Sequence, residues 1–98
     1  MHARVSSYQG DVDRLVEGFR RQADLVRRLD GFTRAYLFVD RSGGRAMTVT
    51  LWDSEEALDA SASRAAQLRE EARDSAVATI GSVDSYELAF DVERAAEG

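Results

Sequence analysis

Cysteine and lysine are absent from this sequence and histidine occurs once, so the catalytic sites that depend on those side chains are excluded or not expected. The 98 residues include no cysteine and no lysine, and the only histidine is His2. Thiol chemistry, disulfides, iron–sulfur ligation, Schiff-base lysines and P-loop lysines are therefore excluded. A Ser-His-Asp triad or a multi-histidine metal site within one subunit is not expected. No metal is predicted, and His2 is interpreted as a mobile terminal residue.

The remaining polar side chains of interest are hydrogen-bond donors of tyrosine, tryptophan and arginine. The candidates are Tyr8, Arg34, Tyr36, Trp52 and Tyr86. Each also has a structural interpretation. The large amphipathic ring of Trp52 suits packing at the end of a sheet, the tyrosines suit a core or an interface, and Arg4 and Arg34 suit ion pairs at a surface or interface. The pairs Glu55-Glu56 and Glu70-Glu71 are interpreted as helix surface, so the catalytic residues stay unidentified.

Composition indicates one globular domain over residues 1–98. Hydrophobic residues make up 44% and charged residues 32% of the chain, and a chain of this length can bury one core. The net charge of -5 argues against nucleic acid and against an anionic membrane surface as partners. The first residues lack the apolar core of a signal peptide and no apolar run is long enough to span a membrane, so a cytoplasmic location is expected.

The elements are arranged around one joint, residues 47–57, where an apolar strand ends in the only tryptophan and a helix start follows. Alternation predicts strands at residues 3–8, 32–39, 46–52 and 83–92. A 3.6-residue stripe predicts a helix over residues 12–29, with Asp11 as N-cap and Gly31 after its end. Asp53 or Ser54 begins a second helix, whose apolar stripe covers residues 57–72. Segment 75–82 stays ambiguous.

The stripe of the second helix consists largely of small residues, which has two interpretations. Its members are Ala57, Leu58, Ser61, Ala62, Ala65, Leu68 and Ala72. Small side chains let a helix lie close to its neighbours, and they can also leave room for a ligand beneath the helix. Both interpretations stay open at this point.

The order strand-helix-strand, twice over, predicts the α+β ferredoxin-like βαββαβ fold, with a four-stranded antiparallel sheet and two helices on one face. The strands carry apolar residues on both faces, for example Leu37 beside Tyr36 and Phe38. A monomer would leave one such face in water as a large apolar patch, which soluble proteins usually avoid. The sequence therefore predicts a homodimer that pairs through the sheet face.

Two stretches carry a resemblance to a known family. The first is Gly31-Phe32 after the first helix. The second, which overlaps the joint, is Thr50-Leu51-Trp52-Asp53-Ser54-Glu55-Glu56-Ala57-Leu58. With the hairpin between them, they resemble the antibiotic biosynthesis monooxygenase-like domains of the dimeric α+β barrel superfamily. The resemblance extends from Ala3 to Val92. It implies a pocket between the sheet and the helices of each subunit.

The resemblance also separates branches of the superfamily. The haem-degrading branch carries an Asn on the first strand and a Trp and a His on the second helix. Alignment through Phe19 and Trp52 places those positions at Ala3, Ser61 and Glu71, which have other side chains. Without an axial His, haem binding of that type is not expected, and no cofactor is predicted.

Two functional hypotheses follow. The first is a cofactor-independent monooxygenase that acts on an aromatic or polyketide-like compound, for which a donor and an apolar pocket suffice. The second is a non-enzymatic homodimeric module that binds a small molecule or a partner. The candidate ligand is a small aromatic compound, and the candidate contact residues are Tyr36, Trp52, Ser61, Ala65, Leu68 and Tyr86. A pocket wide enough for an aromatic ring, with Tyr36 or Tyr86 pointing into it, would favour the enzyme, whereas a pocket filled by Leu58, Ala65 and Leu68 would favour the module.

Overall fold

The computed structural model describes residues 1–96 and confirms the predicted α+β ferredoxin-like architecture. The elements are β1 His2–Gln9, α1 Val12–Val26, β2 Phe32–Asp40, β3 Arg45–Trp52, α2 Glu55–Ala60, α3 Ala62–Ala76 and β4 Thr79–Glu87. The four strands form one antiparallel sheet in the order β2-β3-β1-β4. In this order β3 and β1 are the two central strands. The helices cover one face of the sheet.

Local capping sets where the helices begin. Asp11 is the N-cap of α1 and accepts a hydrogen bond from the Arg14 N–H at 3.1 Å. Ser54, one of the two predicted caps, begins α2 and accepts from the Ala57 N–H at 3.1 Å. Both contacts satisfy a donor that the first helical turn leaves without a partner.

The joint between β3 and α2 is hydrogen-bonded to the turn that precedes β2. The Asp53 N–H donates to the Gly31 carbonyl at 2.8 Å, and the Asp53 carboxylate accepts from the Thr33 hydroxyl at 2.8 Å. Gly31 has a φ of 76°, and a Cβ atom there would meet the Ala57 Cβ at 2.4 Å. The turn therefore requires a glycine for two reasons, its backbone conformation and its closeness to α2.

The second predicted helix is divided into α2 and α3 at Ser61. The Ser61 hydroxyl donates to the Leu58 carbonyl at 2.7 Å, and the Arg4 guanidinium donates to the same carbonyl at 2.8 Å. A continuous helix would use that carbonyl for the backbone N–H four residues later. Side chains that compete for a carbonyl in this way disturb a helix. The break therefore lies where β1 contacts α2.

The last strand was predicted at residues 83–92, and the structure places it at Thr79–Glu87. Its limits are those of its partner, since Thr79 pairs with Gln9 and Glu87 pairs with His2 at the two ends of β1. Residues 88–96 form no helix or strand, although Leu88, Phe90 and Val92 continue the alternation. The last two residues of the chain, 97 and 98, lie outside the described residues.

The predicted assignment of β2 and β3 side chains to the two faces of the sheet is confirmed. Tyr36 pairs with Val49 and Phe38 pairs with Met47, whereas Leu37 pairs with Thr48. Cross-strand partners share a face. The face toward the helices therefore carries Leu37 and Thr48, and the opposite face carries Tyr36, Phe38, Met47 and Val49. We call that opposite surface the open sheet face.

The helices pack together at one end of the sheet and separate at the other. Gly18 is buried, and a Cβ atom there would lie 3.2 Å from the Ser75 hydroxyl. Ala72 and Ala76 are buried in the same region. The C-terminal half of the small-residue stripe thus serves close helix packing. None of the helices in residues 1–96 is long and apolar enough to cross a membrane.

Candidate functional site

A cavity of about 660 Å³ lies between the sheet and the helices, beyond the end where α1 and α3 pack together. Most of its lining is apolar and comes from α1, β2, β3 and α3. These residues are Val16, Phe19, Ala23, Val26, Phe32, Ala35, Leu37, Val39, Trp52, Ala65 and Leu68. Its polar residues are Ser6, Tyr8, Gln22, Tyr36, Thr48 and Thr50, and five arginines complete the set. Volume and lining are typical of a site for a small organic molecule.

Trp52 forms one end of this cavity and is almost fully buried, at 1% exposure. Its indole N–H donates to the Thr50 hydroxyl at 3.0 Å. Phe32 packs edge-to-face against it, with ring centroids 5.6 Å apart. The polar atom of the ring is therefore satisfied, and its apolar surface remains for packing and for the cavity.

Arg4 projects from β1 into the same region and is buried, at 7% exposure. Its guanidinium donates to the Ser61 hydroxyl at 3.2 Å and to the Leu58 carbonyl at 2.8 Å. The guanidinium also lies over the Trp52 ring, 5.7 Å from its centroid. Burial, followed by the positive charge of Arg69, lowers the Arg4 pKa, and Asp59 acts in the opposite direction. Arg4 still carries its charge, because the guanidinium pKa is normally far above neutrality.

Tyr8 is the tyrosine that the structure places in the cavity. Its side chain is 2% exposed, and its ring packs edge-to-face on Phe19 with centroids 5.2 Å apart. The buried hydroxyl makes no hydrogen bond of ordinary geometry with the described residues. Burial raises the Tyr8 pKa, against smaller opposing effects of a weak hydrogen bond with Thr48, the positive charge of Arg69 and a weak hydrogen bond with Ser6. The phenol therefore stays protonated near neutrality and keeps its O–H donor.

The charged residues of the lining are all cationic. They are Arg4, Arg20, Arg27, Arg41 and Arg69, and no Asp or Glu belongs to the lining in the described part of the chain. Arg27 pairs with Asp24 and Arg41 pairs with Asp13, so these rim cations have carboxylate partners. Arg4 and Arg69 have no carboxylate within salt-bridge distance in residues 1–96. The cavity is thus a positive region on a chain whose net charge is -5.

The predicted contact residues occupy three different places. Trp52, Ala65 and Leu68 line the cavity. Ser61 is not in the lining, but it is buried at the α2–α3 break and bonds to Arg4. The Tyr36 backbone borders the cavity, but its ring stacks on Phe38, at 5.9 Å, on the open sheet face. Tyr86 pairs with Ala3, is 55% exposed and lies on that same face.

Sequence reasoning undervalued Arg4 and Arg69 and gave Tyr8 no more weight than four other donors. Arg4 was assigned to a surface or interface. The signal that could have identified Arg4 and Tyr8 is the alternating row of polar residues Arg4, Ser6 and Tyr8 along β1, which is a central strand of the sheet. Those three side chains face the helices, and they are 7%, 2% and 2% exposed. Buried polar residues on a central strand are uncommon unless they are paired or functional.

The interpretation of His2 as a mobile terminal residue was wrong. His2 is the first residue of β1, pairs with Trp52 and Glu87, and has a buried Nδ1 atom. It does not belong to the cavity lining. The lining contains no histidine in residues 1–96, so a histidine-ligated haem does not fit this cavity. In the described part of the chain no group of three or more potential ligands could hold a metal ion.

The β1 position used to assess the haem-degrading branch also needs correction. Ala3 pairs with Leu51 and Tyr86, so its side chain lies on the open sheet face rather than in the cavity. The β1 side chains that face a ligand are Arg4, Ser6 and Tyr8. None of these is the Asn of that branch. Glu71 is exposed on α3 and is likewise outside the lining.

Replacing Tyr8 by phenylalanine is expected to leave stability unchanged or raise the free energy of unfolding by up to about 1 kcal/mol, because an unpartnered buried hydroxyl is removed. Urea unfolding measures this change. The raised folded-state pKa of Tyr8 predicts stability that is present below the ordinary phenol pKa and is lost as the pH rises above it. An alkaline titration of tyrosinate absorbance should lose its latest-ionising phenol in Y8F.

The control for Y8F is Tyr36→Phe, since the Tyr36 hydroxyl is exposed and accepts a hydrogen bond from Arg34 at 3.4 Å. Tyr36→Phe should retain the late phenol and show no gain in stability. A loss of more than about 1 kcal/mol in Y8F would mean that the Tyr8 hydroxyl has a partner in the folded protein.

The fold and cavity define a class of protein, the ferredoxin-like α+β domain with a small-molecule site between the sheet and its helices. The sequence profile of the antibiotic biosynthesis monooxygenase family matches residues 1–79, from the first residue to the start of β4. The chain belongs to this family. The resemblance seen in the Gly31-Phe32 turn and the Trp52 joint is therefore confirmed.

Solved structures with the same fold include proteins of two activities. SnoaB, a cofactor-independent oxygenase from Streptomyces nogalater, is 15% identical, with a TM-score of 0.75 over 95% of this chain and 97% of SnoaB. MhuD, a haem degrader from Mycobacterium tuberculosis with two haems bound in its active site, is 26% identical. Its TM-score is 0.74 over 95% of this chain and 100% of MhuD. A search of curated protein sequences found no match.

Proposed function

We propose that the protein is a cofactor-independent monooxygenase that binds an aromatic, polyketide-like small molecule in the cavity between the sheet and the helices. The observation that carries the proposal is the buried Tyr8 hydroxyl, which makes no hydrogen bond of ordinary geometry with the described residues and lies in a mainly apolar cavity of about 660 Å³. Family membership and the fold shared with SnoaB support the reaction type. Ala65 and Leu68 border the cavity without filling it, which favours a ligand site.

An anthrone is a substrate that would suit this lining and that can itself reduce oxygen. In an anthrone, the methylene group between two aromatic rings is acidified by the opposite carbonyl, and loss of a proton gives an enolate. One atom of molecular oxygen replaces the two methylene hydrogens as a carbonyl, and the other leaves with those hydrogens as water, so the reaction balances without an added reductant. Arg4 would stabilise the enolate oxygen by its charge, and the Tyr8 hydroxyl would donate to that oxygen. The apolar walls would hold the ring and exclude water from the reacting carbon.

A specific observation favours the alternative, a binding module without catalysis. The cavity lining in residues 1–96 contains neither a carboxylate nor an imidazole that could act as a general base. Under the monooxygenase proposal, the proton of an acidic substrate leaves to solvent or to water at the cavity mouth. A less acidic substrate would be bound and not oxidised. Both functions therefore predict that the small molecule binds in the cavity, and only the monooxygenase predicts that it is oxidised.

Incubation with 1,8-dihydroxyanthrone under isotopically labelled molecular oxygen tests the proposal. The expected result is oxygen uptake above the spontaneous rate, with one labelled atom in the anthraquinone formed. Tyr8→Phe should lower this rate by about ten-fold or more, because one donor to the developing oxyanion is removed. Binding of the anthrone without acceleration would leave the module as the function. Neither binding nor acceleration would count against both.

We further propose that the protein is a homodimer through the open sheet face. That face presents Tyr36, Phe38, Met47 and Tyr86 with exposures of 42%, 54%, 39% and 55%. Contiguous apolar surface of this kind usually marks an interface. Face-to-face pairing of two sheets would cover it and leave each cavity, on the other side of its sheet, accessible. The cytoplasmic location expected from the sequence stays a prediction.

Replacing Phe38 by glutamate is expected to weaken the dimer by about 100-fold or more, because a charge would be buried within the interface. Sedimentation velocity over a range of concentrations measures the change. The matched control is Leu25→Glu, which places the same charge on an apolar side chain of α1 that is 47% exposed. Wild-type protein that sediments as a monomer at all concentrations would contradict the interface.

A further inference from the structure

The deep part of the cavity contains two arginines whose charges the described residues do not neutralise. Arg4 is 7% exposed, and its contacts are a hydroxyl, a backbone carbonyl and the Trp52 ring. Arg69, on α3, is partly buried and borders the same cavity. Neither has a carboxylate within 4.0 Å in residues 1–96. The lining arginines that do pair with a carboxylate, Arg27 and Arg41, lie at the rim.

Arg4, Arg69 and Tyr8 act on one another across this region. The positive charge of Arg69 lowers the pKa of both Arg4 and Tyr8, although burial is the largest influence on each. Asp59 also influences Arg4, but it is an exposed residue of α2 beyond salt-bridge distance. Arg4, Arg69 and Tyr8 all belong to the lining, so two cations and a phenol border the same cavity.

Such an arrangement is unfavourable until an anion is present. A buried cation without a counter-ion costs several kcal/mol, because hydrogen bonds replace only part of its hydration. Two like charges that influence each other add to this cost. An oxyanion bound there would accept charge-assisted hydrogen bonds from the guanidinium groups, which are stronger than neutral ones. It would also provide the acceptor that the Tyr8 hydroxyl lacks.

We infer that the ligand of this cavity is an aromatic oxyanion, a ring system that carries an anionic oxygen group, and that Arg4, Arg69 and Tyr8 bind that group. The inference rests on the proposed function, since it assumes that the cavity is the ligand site. The rings contact the apolar walls around Phe19 and Trp52. The anionic group lies toward β1 and α3, where the cations are. A neutral ring system of the same shape binds more weakly.

A matched pair of fluorescent probes tests this inference. The compound 8-anilinonaphthalene-1-sulfonate carries a sulfonate, and N-phenyl-1-naphthylamine is the same ring system without it. Wild-type protein is expected to bind the sulfonate at least about ten-fold more tightly, the scale expected for hydrogen bonds to a charged group. Arg69→Gln should reduce that preference by about ten-fold and leave the affinity for the neutral probe unchanged.

Arg64→Gln is the control, because Arg64 lies on the same helix, bonds to Gln67 and is outside the lining. It removes the same charge and should retain the preference. Arg4→Gln is a second variant, to be compared at temperatures where its circular dichroism matches wild type. It too should lose the preference for the sulfonate.

The possible failures are distinguishable. If wild type binds both probes equally, or if Arg69→Gln and Arg64→Gln reduce sulfonate binding to the same extent, the oxyanion inference is overturned and the proposed function stands. If neither probe binds, the cavity is not a site for aromatic rings, and the proposed function fails with the inference.

Discussion

Replacing Ala65 by tryptophan is expected to weaken the binding of an aromatic ligand by about 100-fold, with an equal or larger loss of oxygenation. Ala65 borders the cavity from α3, opposite the sheet residues that form its floor. An indole at this position projects into the space that a ligand's rings would occupy. Inserting bulk into an occupied apolar space costs about 1–3 kcal/mol, which at the upper end corresponds to about 100-fold in affinity. Emission of bound N-phenyl-1-naphthylamine measures the affinity.

The control is Ala62→Trp, on the same helix at an exposed position outside the lining. It adds the same side chain and should retain wild-type affinity. Both variants should show the same unfolding transition as wild type, because the cavity has room for the indole when no ligand is present. Unchanged affinity in Ala65→Trp would mean that aromatic ligands bind elsewhere on the protein.

Replacing Trp52 by alanine is expected to lower the free energy of unfolding by about 3–5 kcal/mol, the range for a large aromatic residue removed from a core. A domain of this size is typically stable by only about 5–15 kcal/mol, so the variant would approach complete unfolding. Trp52 is 1% exposed and contacts Phe32, Thr50 and Arg4. Its loss therefore affects β2, β3 and β1 together.

Urea unfolding followed by circular dichroism measures the change, because the only tryptophan is removed and intrinsic fluorescence no longer reports folding. Trp52→Phe is the matched variant. It keeps a ring beside Phe32 and Arg4 but loses the hydrogen bond to Thr50, so about 1–2 kcal/mol of loss is expected. A loss below about 1 kcal/mol in Trp52→Ala would contradict the central role of the joint.

The sequence predicted those parts of the fold that depend on local pattern. Alternation in β2 and β3 assigned Leu37 and Phe38 to opposite faces, and the structure confirms this assignment. Gly31 has the positive φ that its residue type predicted, and Ser54 is one of the two caps predicted for the second helix. These features depend on neighbours in the chain, so residue types suffice to infer them. The predicted end of the first helix was wrong, because α1 ends at Val26 with Arg27 as its C-cap rather than at Leu29 beside Gly31.

Features that depend on a distant partner were not predictable in the same way. The end of β4 is set by its pairing with β1, whereas the alternation of Leu88, Phe90 and Val92 continues past that limit. The helix break at Ser61 depends on a guanidinium that arrives from β1, 57 residues earlier in the chain. No local pattern in the second helix contains that information.

The candidate site was predictable only in its walls. Trp52, Ala65 and Leu68 were assigned to a pocket because the helix stripe and the joint pointed to the space beneath the helix, and they line the cavity. Among its polar groups, Tyr8 was one of five candidate donors, whereas Arg4 was assigned to a surface or interface and Arg69 was not singled out. An arginine on a strand is usually exposed, and only the packing of α2 over β1 shows that Arg4 is buried.

The most direct test of the cavity as a site for aromatic molecules uses Trp52 as a reporter. The chain has one tryptophan, and it lies in the cavity lining. Titration of wild-type protein with N-phenyl-1-naphthylamine, followed through Trp52 emission, is expected to show saturable quenching with one probe per chain, as energy is transferred to a probe beside the indole. Absence of binding, or binding that leaves Trp52 emission unchanged, would contradict the cavity as the ligand site.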